Sequence, residues 1–289
     1  MMKRSILLIA MILVAVSANA QFYVSASGGY SIPSAGVRFG TETTMNGIKN
    51  TYGSYGEGIH TQLRGGYYFN KSFGVEVGLG YLYGSDQNIA YVELPNQPFV
   101  DVKARGRAYG ASASVVYKFT NNVYGRIGAL IKVGGKTEAI GILRDIKIPA
   151  NTFPGVPVET TLDVDFVHDY KGRLPLGAIA AIGYKYDVAK NVSLFVEAEY
   201  MGVSVTRDSS TMKEFSAVIR ENGATLNVDQ VREIMKAGGS PLTPVFNNHV
   251  EYVDELPLGA DQTGSKQLSQ KVPYSSFGVN FGITYTFGK

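Results

Sequence analysis

The chain has 289 residues and no cysteine, so we expect neither a disulfide nor a lipid anchor on an N-terminal cysteine. Its formal charge of +3 is too small to mark a nucleic-acid-binding protein. Charged residues make up 18% of the chain, against about 25% in typical soluble domains, which argues against an ordinary water-soluble surface.

The first twenty residues follow the order of a secretory signal peptide. Lys3 and Arg4 precede an apolar run over 6–16, which is too short to span a membrane as a helix. Ala18 and Ala20 then fit the small-x-small rule for a cleavage site. A buried N-terminal helix is the alternative interpretation of this segment.

We therefore predict a cleavable signal peptide over 1–20 and a mature domain over 21–289, beginning at Gln21. Removal of the two N-terminal cations lowers the formal charge to +1. No later segment has about 18 uncharged apolar residues, so no spanning helix is expected. A mature chain that meets lipid must then form a closed barrel, because only helices and barrels satisfy every backbone group there.

Eight segments of the mature chain alternate apolar and polar residues with a period of two, as half-buried strands do. The last is the most regular. Phe277, Val279 and Phe281 occupy one set of alternate positions, and small or polar residues occupy the other set. We call each set of alternate positions a parity, and each parity faces one side of the strand. The eight segments are 22–30, 63–69, 73–83, 109–119, 123–133, 176–186, 192–200 and 277–287.

The connections alternate in length. Short turns at 70–72, 120–122 and 189–191 follow segments two, four and six. Long connections follow the others, at 32–58, 84–104, 135–172 and 207–273. This asymmetry is typical of outer-membrane barrels, with short periplasmic turns and long extracellular loops. We predict an all-β fold: an eight-stranded antiparallel up-and-down transmembrane β-barrel with long extracellular loops.

Parity alone does not decide which face of the barrel is outside, and a soluble barrel with an apolar interior is the alternative. The polar parity is mostly Gly, Ser and Ala, which suit a narrow eight-stranded lumen. Aromatic residues also collect near the short turns, as in the girdle at a lipid–water interface. The predicted girdle comprises Tyr67, Tyr68, Phe69, Phe73, Tyr117, Phe119, Tyr124, Tyr184, Tyr186, Tyr285 and Phe287.

The signal peptide, the eight strands and the aromatic-ended segment 277–287 resemble the small outer-membrane barrels of the OmpA transmembrane domain, OmpX and OmpW types. Gly288 and Lys289 follow the last aromatic residue, whereas such chains usually end on it. The resemblance implies localisation in the cell outer membrane. It also implies outer-membrane lipids, lipopolysaccharide, periplasmic chaperones and the barrel-assembly machinery as partners, and no cofactor.

Charged residues on the polar parity would lie inside the lumen. Partial desolvation there favours pairing, since unpaired buried charge is costly. We predict a lumen ion-pair network that plugs the barrel, and a gated narrow pore is the alternative. The predicted network comprises Arg64, Glu76, Lys118, Arg126, Lys132, Lys185, Glu197 and Glu199.

The carboxylates and histidines that could suggest catalysis have simpler explanations. Glu197 and Glu199 share a face but are explained as lumen residues. His60, His168 and His249 are the only histidines. Some outer-membrane barrels are lipid-modifying hydrolases with His and Ser at the outer rim, but no nucleophile motif accompanies these histidines. We predict no enzymatic activity, no catalytic residue and no metal site.

The connection 207–273 has helical features. The spacing of apolar residues predicts one short amphipathic helix over 212–222 and another over 228–237, the latter capped by Asn227 or Thr225 and stopped by Gly238. These helices are expected to form a self-contained cap. The alternative is a contact surface for another protein or a glycan.

The leading functional prediction is a non-enzymatic outer-membrane protein that is structural, or adhesive through its loops. A narrow passage for small or apolar molecules is the first alternative, and a lipid-modifying enzyme is the second.

Overall fold

A computed structural model describes residues 21–34, 36–151 and 158–288. The predicted signal peptide lies outside these residues. None of the helices in the described ranges is long and apolar enough to cross a membrane.

The described residues form sixteen strands, an α-helix and a short 3-10 helix. The strands are β1 (Gln21–Pro33), β2 (Val37–Thr44), β3 (Gly47–Gly53), β4 (Gly58–Tyr68), β5 (Phe73–Gly84), β6 (Gln87–Glu93), β7 (Phe99–Lys118), β8 (Val123–Ile148), β9 (Thr160–Gly172), β10 (Leu176–Ala189), β11 (Val192–Gly202), β12 (Ser204–Ile219), β13 (His249–Val253), β14 (Lys266–Leu268), β15 (Lys271–Pro273) and β16 (Ser276–Thr286). The α-helix is α1 (Val228–Ala237), and the 3-10 helix covers Thr243–Val245.

Eight of the strands close into a ring. Its order is β8, β10, β11, β16, β1, β4, β5, β7 and back to β8, and every pair is antiparallel. The first and last strands meet in register, with Tyr30 opposite Val279. Each of the eight predicted segments coincides with one of these strands, with at most one residue beyond the strand end, so the eight-stranded barrel is confirmed.

The apolar parity of the ring faces outward. Leu79, Ile127 and Phe281 are each about two-thirds exposed, at 64%, 66% and 65%. The opposite parity is buried and includes Arg64 and Glu197. A belt of exposed apolar side chains around a sheet without edges is stable in hydrocarbon. The ring is therefore a transmembrane β-barrel, and the soluble alternative is wrong.

The girdle prediction needs one correction. Phe73 and Tyr117 are exposed and their ring centroids lie 4.7 Å apart, as expected of an interfacial belt. Tyr68 and Tyr124 were assigned to the same belt but point into the lumen, because they occupy the inward parity of β4 and β8.

The long connections are largely strands. β7 and β8 continue beyond the ring, and their far halves pair with further strands in the order β3, β2, β6, β7, β8, β9, β12, β13, β14. We call this second layer the outer sheet. It lies on the side of the long connections, which is the extracellular side.

The outer sheet has its own hydrophobic core. Helix α1 packs its buried face over strands β9 and β12 in this core. The fully or nearly buried members are Val102, Leu143, Ile146, Ile148, Leu162, Val164, Phe166, Ala217, Ile219, Val228, Val231, Ile234, Met235 and Phe246.

One of the two predicted helices is wrong. Residues 212–219 belong to β12, which pairs with β9. Helix α1 is confirmed over Val228–Ala237, where Asn227 caps the N-terminus in a reciprocal capping box with Gln230. Gly238 follows its last residue.

Candidate functional site

A cluster of charged side chains fills the middle of the lumen. Arg64 Nη1 lies 3.1 Å from each carboxylate oxygen of Glu197. Arg126 Nη2 donates to Glu197 Oε1 at 2.8 Å and also contacts Glu199. Glu76 Oε1 lies 3.6 Å from Arg64 Nη1. The side chains of these five predicted residues are at most 6% exposed.

Neutral side chains complete this cluster. Gln62 Nε2 donates to both carboxylate oxygens of Glu199, at 2.8 and 3.0 Å. The Tyr23 hydroxyl donates to Glu76 at 3.0 Å, and the Tyr124 hydroxyl donates to Glu197 at 2.8 Å. Three carboxylates face two guanidiniums, so these donors help to hold the excess negative charge inside the barrel. We call these eight residues the ion-pair cluster.

The three predicted lysines lie above and below the ion-pair cluster. Lys118 Nζ is 3.7 Å from the centroid of the Tyr68 ring, near the periplasmic end. Lys185 lines a small cavity beside Arg64 at the same end. Lys132 lies on the extracellular side, with Nζ 5.6 Å from the centroid of the Tyr274 ring.

Above the ion-pair cluster the lumen becomes apolar. Leu82, Leu130, Ile179 and Met201 point inward and line a chamber with about 80 Å³ of accessible space. Sequence analysis missed this layer, because it treated the inward parity as small and ionic. The signal was present, since Leu130 lies on the same parity as Arg126 in β8. We call this space the apolar chamber.

A ring of aromatic side chains stands at the top of the barrel. The Tyr274 hydroxyl lies 2.6 Å from Thr137 Oγ1, and the rings of Tyr55 and Tyr274 are 5.6 Å apart. Just above, the Arg207 guanidinium lies 4.7 Å from the centroid of the Tyr170 ring. These contacts join the barrel to the base of the outer sheet.

The three histidines are not brought together. His60 lies inside the barrel, with Nε2 3.0 Å from the Gly56 carbonyl oxygen. His249 is exposed on the outer sheet and its Nδ1 lies 3.2 Å from Thr211 Oγ1. In the described ranges, no group of three His, Cys, Asp or Glu side chains is placed to hold a metal ion.

His168 is fully buried in the outer sheet and stacks on Tyr170 at 4.9 Å. Neither of its ring nitrogens has a hydrogen-bond partner of good geometry among the described residues. Burial lowers the pKa of His168 from 6.5 to about 4. The imidazole is therefore neutral at physiological pH and acts as a packing group.

Comparisons with known proteins return structural likeness alone. No family model and no curated protein match the chain. A major outer membrane protein from Thermus thermophilus is 14% identical, with 93% of this chain and 99% of that chain covered and a TM-score of 0.36. Neisserial surface protein A is 12% identical, with coverage of 92% and 98% and a TM-score of 0.30.

A third solved structure, outer membrane protein AlkL, is 13% identical, with coverage of 93% and 91% and a TM-score of 0.33. These proteins are what the chain resembles in fold. The assignment itself follows from the closed ring, the exposed apolar belt, the short turns at one end and the long connections at the other. The chain is an outer-membrane β-barrel.

Proposed function

We propose that this barrel is a non-enzymatic outer-membrane protein that presents the outer sheet as a binding surface, above a lumen plugged by the ion-pair cluster. The observation that carries the proposal is the independent core of the outer sheet. Phe246, Val231 and Val164 are completely buried there, in a cluster separate from the one at Tyr23, Tyr68 and Val116 in the lumen. Mobile loops would suffice merely to close a barrel, whereas a folded layer holds side chains in fixed positions for recognition.

The tip of the outer sheet supports a contact with another macromolecule. The hairpin of β2 and β3 projects Met45, Ile48 and Tyr52 into solvent, at 74%, 74% and 60% exposure. Exposed apolar side chains that lie together commonly mark an interaction site. Tyrosine in particular is enriched at protein interfaces. The expected partner is an extracellular protein or glycan.

The plug is supported by the burial of the ion-pair cluster. An eight-stranded lumen is just wide enough for side chains to fill. Arg64, Arg126 and Glu197 fill it at its centre with direct contacts. Planar-bilayer recordings of the wild-type protein should therefore show no steady conductance. Regular conductance steps in the wild type would contradict the plug.

The binding surface is tested on cells that carry the protein in their outer membrane. Cells with the wild type should adhere to immobilised extracellular-matrix proteins or to defined glycans on an array. Ile48→Ser combined with Tyr52→Ser should abolish adhesion. Leu174→Ser, at an exposed position (71%) in a different connection, is the matched control and should adhere normally. Equal adhesion by the tip variant, or none by the wild type, would contradict the proposal.

A second candidate function is passage of small apolar molecules, and the apolar chamber favours it. The ion-pair cluster lies directly below the chamber, so transfer through the barrel requires this cluster to open. Cells with the wild-type protein should then take up a small alkane faster than cells without it. Replacement of Arg126 or Glu197 by Ala should change that rate, and an unchanged rate would argue against passage.

A further inference from the structure

Lys132 has an unusual environment at the top of the apolar chamber. It points into the lumen from β8 and lines the chamber together with Leu130. Its charged group lies near the Tyr274 ring, and no carboxylate of the described residues pairs with it. Partial burial of an unpaired ammonium costs free energy. An anion that entered the chamber would remove this cost.

Further positive charge lies immediately above. Lys132 also lines a second small cavity, together with Lys171 and Arg207. The hydroxyl-bearing residues Tyr55, Thr137 and Tyr170 line the same cavity, and no carboxylate is among its described lining residues. Three cations and three hydroxyl-bearing side chains therefore surround a space that lacks a negative charge, which is the chemistry that recognises a carboxylate or another small anion.

The space below Lys132 suits an alkyl chain. The apolar chamber has about 80 Å³ of accessible space, which is room for roughly six groups the size of a water or a methylene. Its walls are mainly Leu82, Ile179 and Met201 side chains. The floor below carries Glu199, which repels an anion. A bound amphiphile would therefore have its head at Lys132 and its tail toward the floor.

We propose that the apolar chamber and the cavity above it form one binding site for a medium-chain carboxylate, with its headgroup against Lys132. The site deepens the second candidate function by naming a class of molecule, and it does not depend on the binding surface of the outer sheet. Binding in the chamber and passage through the barrel can be tested separately. If the protein binds the carboxylate but does not transport it, the proposed site stands and only the second candidate function is contradicted.

The headgroup is tested with octanoate as the probe. The full mature protein is reconstituted in phosphatidylcholine nanodiscs, and octanoate labelled with ¹³C at the carboxyl is titrated by NMR. Lys132→Gln should weaken binding at least about tenfold, because a charge-assisted hydrogen bond is lost. Lys118→Gln is the matched control, since this inward-facing lysine also lies over a tyrosine ring but below the ion-pair cluster. Equal effects of the two substitutions, or none, would overturn the proposal.

The tail is tested by filling the chamber. Gly110 faces inward, and a Cβ there would lie 3.6 Å from Leu130 Cδ1, which is ordinary contact. Gly110→Leu should therefore place its side chain in the chamber and abolish octanoate binding. Gly65→Leu makes the same change on the opposite parity, where a Cβ meets nothing within 4 Å, and should bind normally. Circular dichroism of both variants verifies the barrel, and undiminished binding by folded Gly110→Leu would refute the chamber as the tail site.

Two further probes fix the chemical class. Octan-1-ol has the tail without the charge and acetate has the charge without the tail, so both should bind at least about tenfold more weakly than octanoate. Equal affinity for octanol would show a purely apolar site and overturn the proposal. Loss of octanoate binding in discs that contain phosphatidylglycerol would assign the anion site to a lipid headgroup, which also overturns it.

Discussion

Arg64 Nη1 lies 3.1 Å from both carboxylate oxygens of Glu197, although the two residues are 133 positions apart in the chain. The ring order places β4 and β11 across the lumen from each other, with β1 and β16 between them on one side. The pair therefore ties two walls of the barrel together through its interior.

Replacing Glu197 by Gln should destabilise the barrel strongly. The change removes the charge shared by Arg64 and Arg126 while the size of the side chain stays the same. Loss of one partner of a buried ion pair costs about 3–5 kcal/mol. Urea unfolding in phospholipid vesicles measures the effect. Glu42→Gln, which breaks an exposed pair with Lys49, is the control and should cost about 1 kcal/mol or less. Similar losses in both variants would contradict an ion-pair cluster that stabilises the fold.

Truncating Phe246 should unfold the outer sheet without unfolding the barrel. This fully buried ring meets Phe166 edge-on at 5.5 Å. Phe246→Ala should cost about 3–5 kcal/mol within that layer. Because the chain has no cysteine, a dye on Leu258→Cys reports unfolding of the outer sheet alone. Leu174→Ala is the exposed control, and loss of the barrel together with the outer sheet would show that the two layers unfold as one.

The outer sheet should lose stability on acidification because of His168. Its folded pKa of about 4 lies below the ordinary 6.5, so the unfolded chain binds a proton more readily than the folded chain. The contribution of neutral His168 to the free energy of unfolding is fully present above about pH 6.5. It is lost as the pH falls toward 4, by about 3 kcal/mol in total at 1.36 kcal/mol per pKa unit. Urea midpoints of the dye-labelled protein at several pH values measure this slope.

His168→Leu should flatten that pH dependence, because the replacement has no proton to bind. His249→Leu, which removes an exposed histidine of the same sheet, is the matched control. A slope that persists in His168→Leu would assign the acid sensitivity to other groups.

The predicted signal peptide lies outside the described residues, so its cleavage remains a prediction. Gln21 is the first residue of β1 and pairs with Tyr68 of β4, so cleavage before it would leave the strand whole. Mass spectrometry of the protein from outer membranes should give a chain that begins at Gln21. Ala18→Leu should block processing, and a wild-type chain that retains residues 1–20 would refute the prediction.

The barrel could be predicted because its strands repeat one local rule. Each inward residue such as Gly278 alternates with an outward residue such as Phe277, and lipid on the outer face allows few exceptions. The outer sheet follows no such rule, because some stretches of its strands face water and others face the hydrophobic core. Several of its pairings, for example Thr43 opposite Val92, join segments that are separated in the chain and carry no shared local signal.

The wrong helix at 212–222 has a specific cause. Phe215, Val218 and Ile219 are spaced as on one face of a helix. In β12, however, Val218 lies on the opposite face of the strand from Phe215 and Ile219. All three residues pair with β9 across the sheet, and this partner carries no signal in the local sequence. Helix α1 escaped this ambiguity because Asn227 and Gln230 form a capping box that a strand would not require.

The candidate site was predicted only in part for a similar reason. Charged residues such as Arg64 and Glu197 stand out on an inward parity of small side chains. Leu82 and Ile179 do not, because an apolar residue within a strand is ordinary. Only the closed ring shows that they face each other across the lumen.

β8 runs for 26 residues, roughly 85 Å at the usual rise of a strand, with irregular pairing near Val133 and between Leu143 and Ile146. Its first half belongs to the barrel and its second half to the outer sheet. The same strand thus passes from the barrel to the outer sheet, and a β-bulge at Val133 marks the junction. A pull on a partner attached to the outer sheet would therefore be carried along this strand and spread as shear over its interstrand hydrogen bonds.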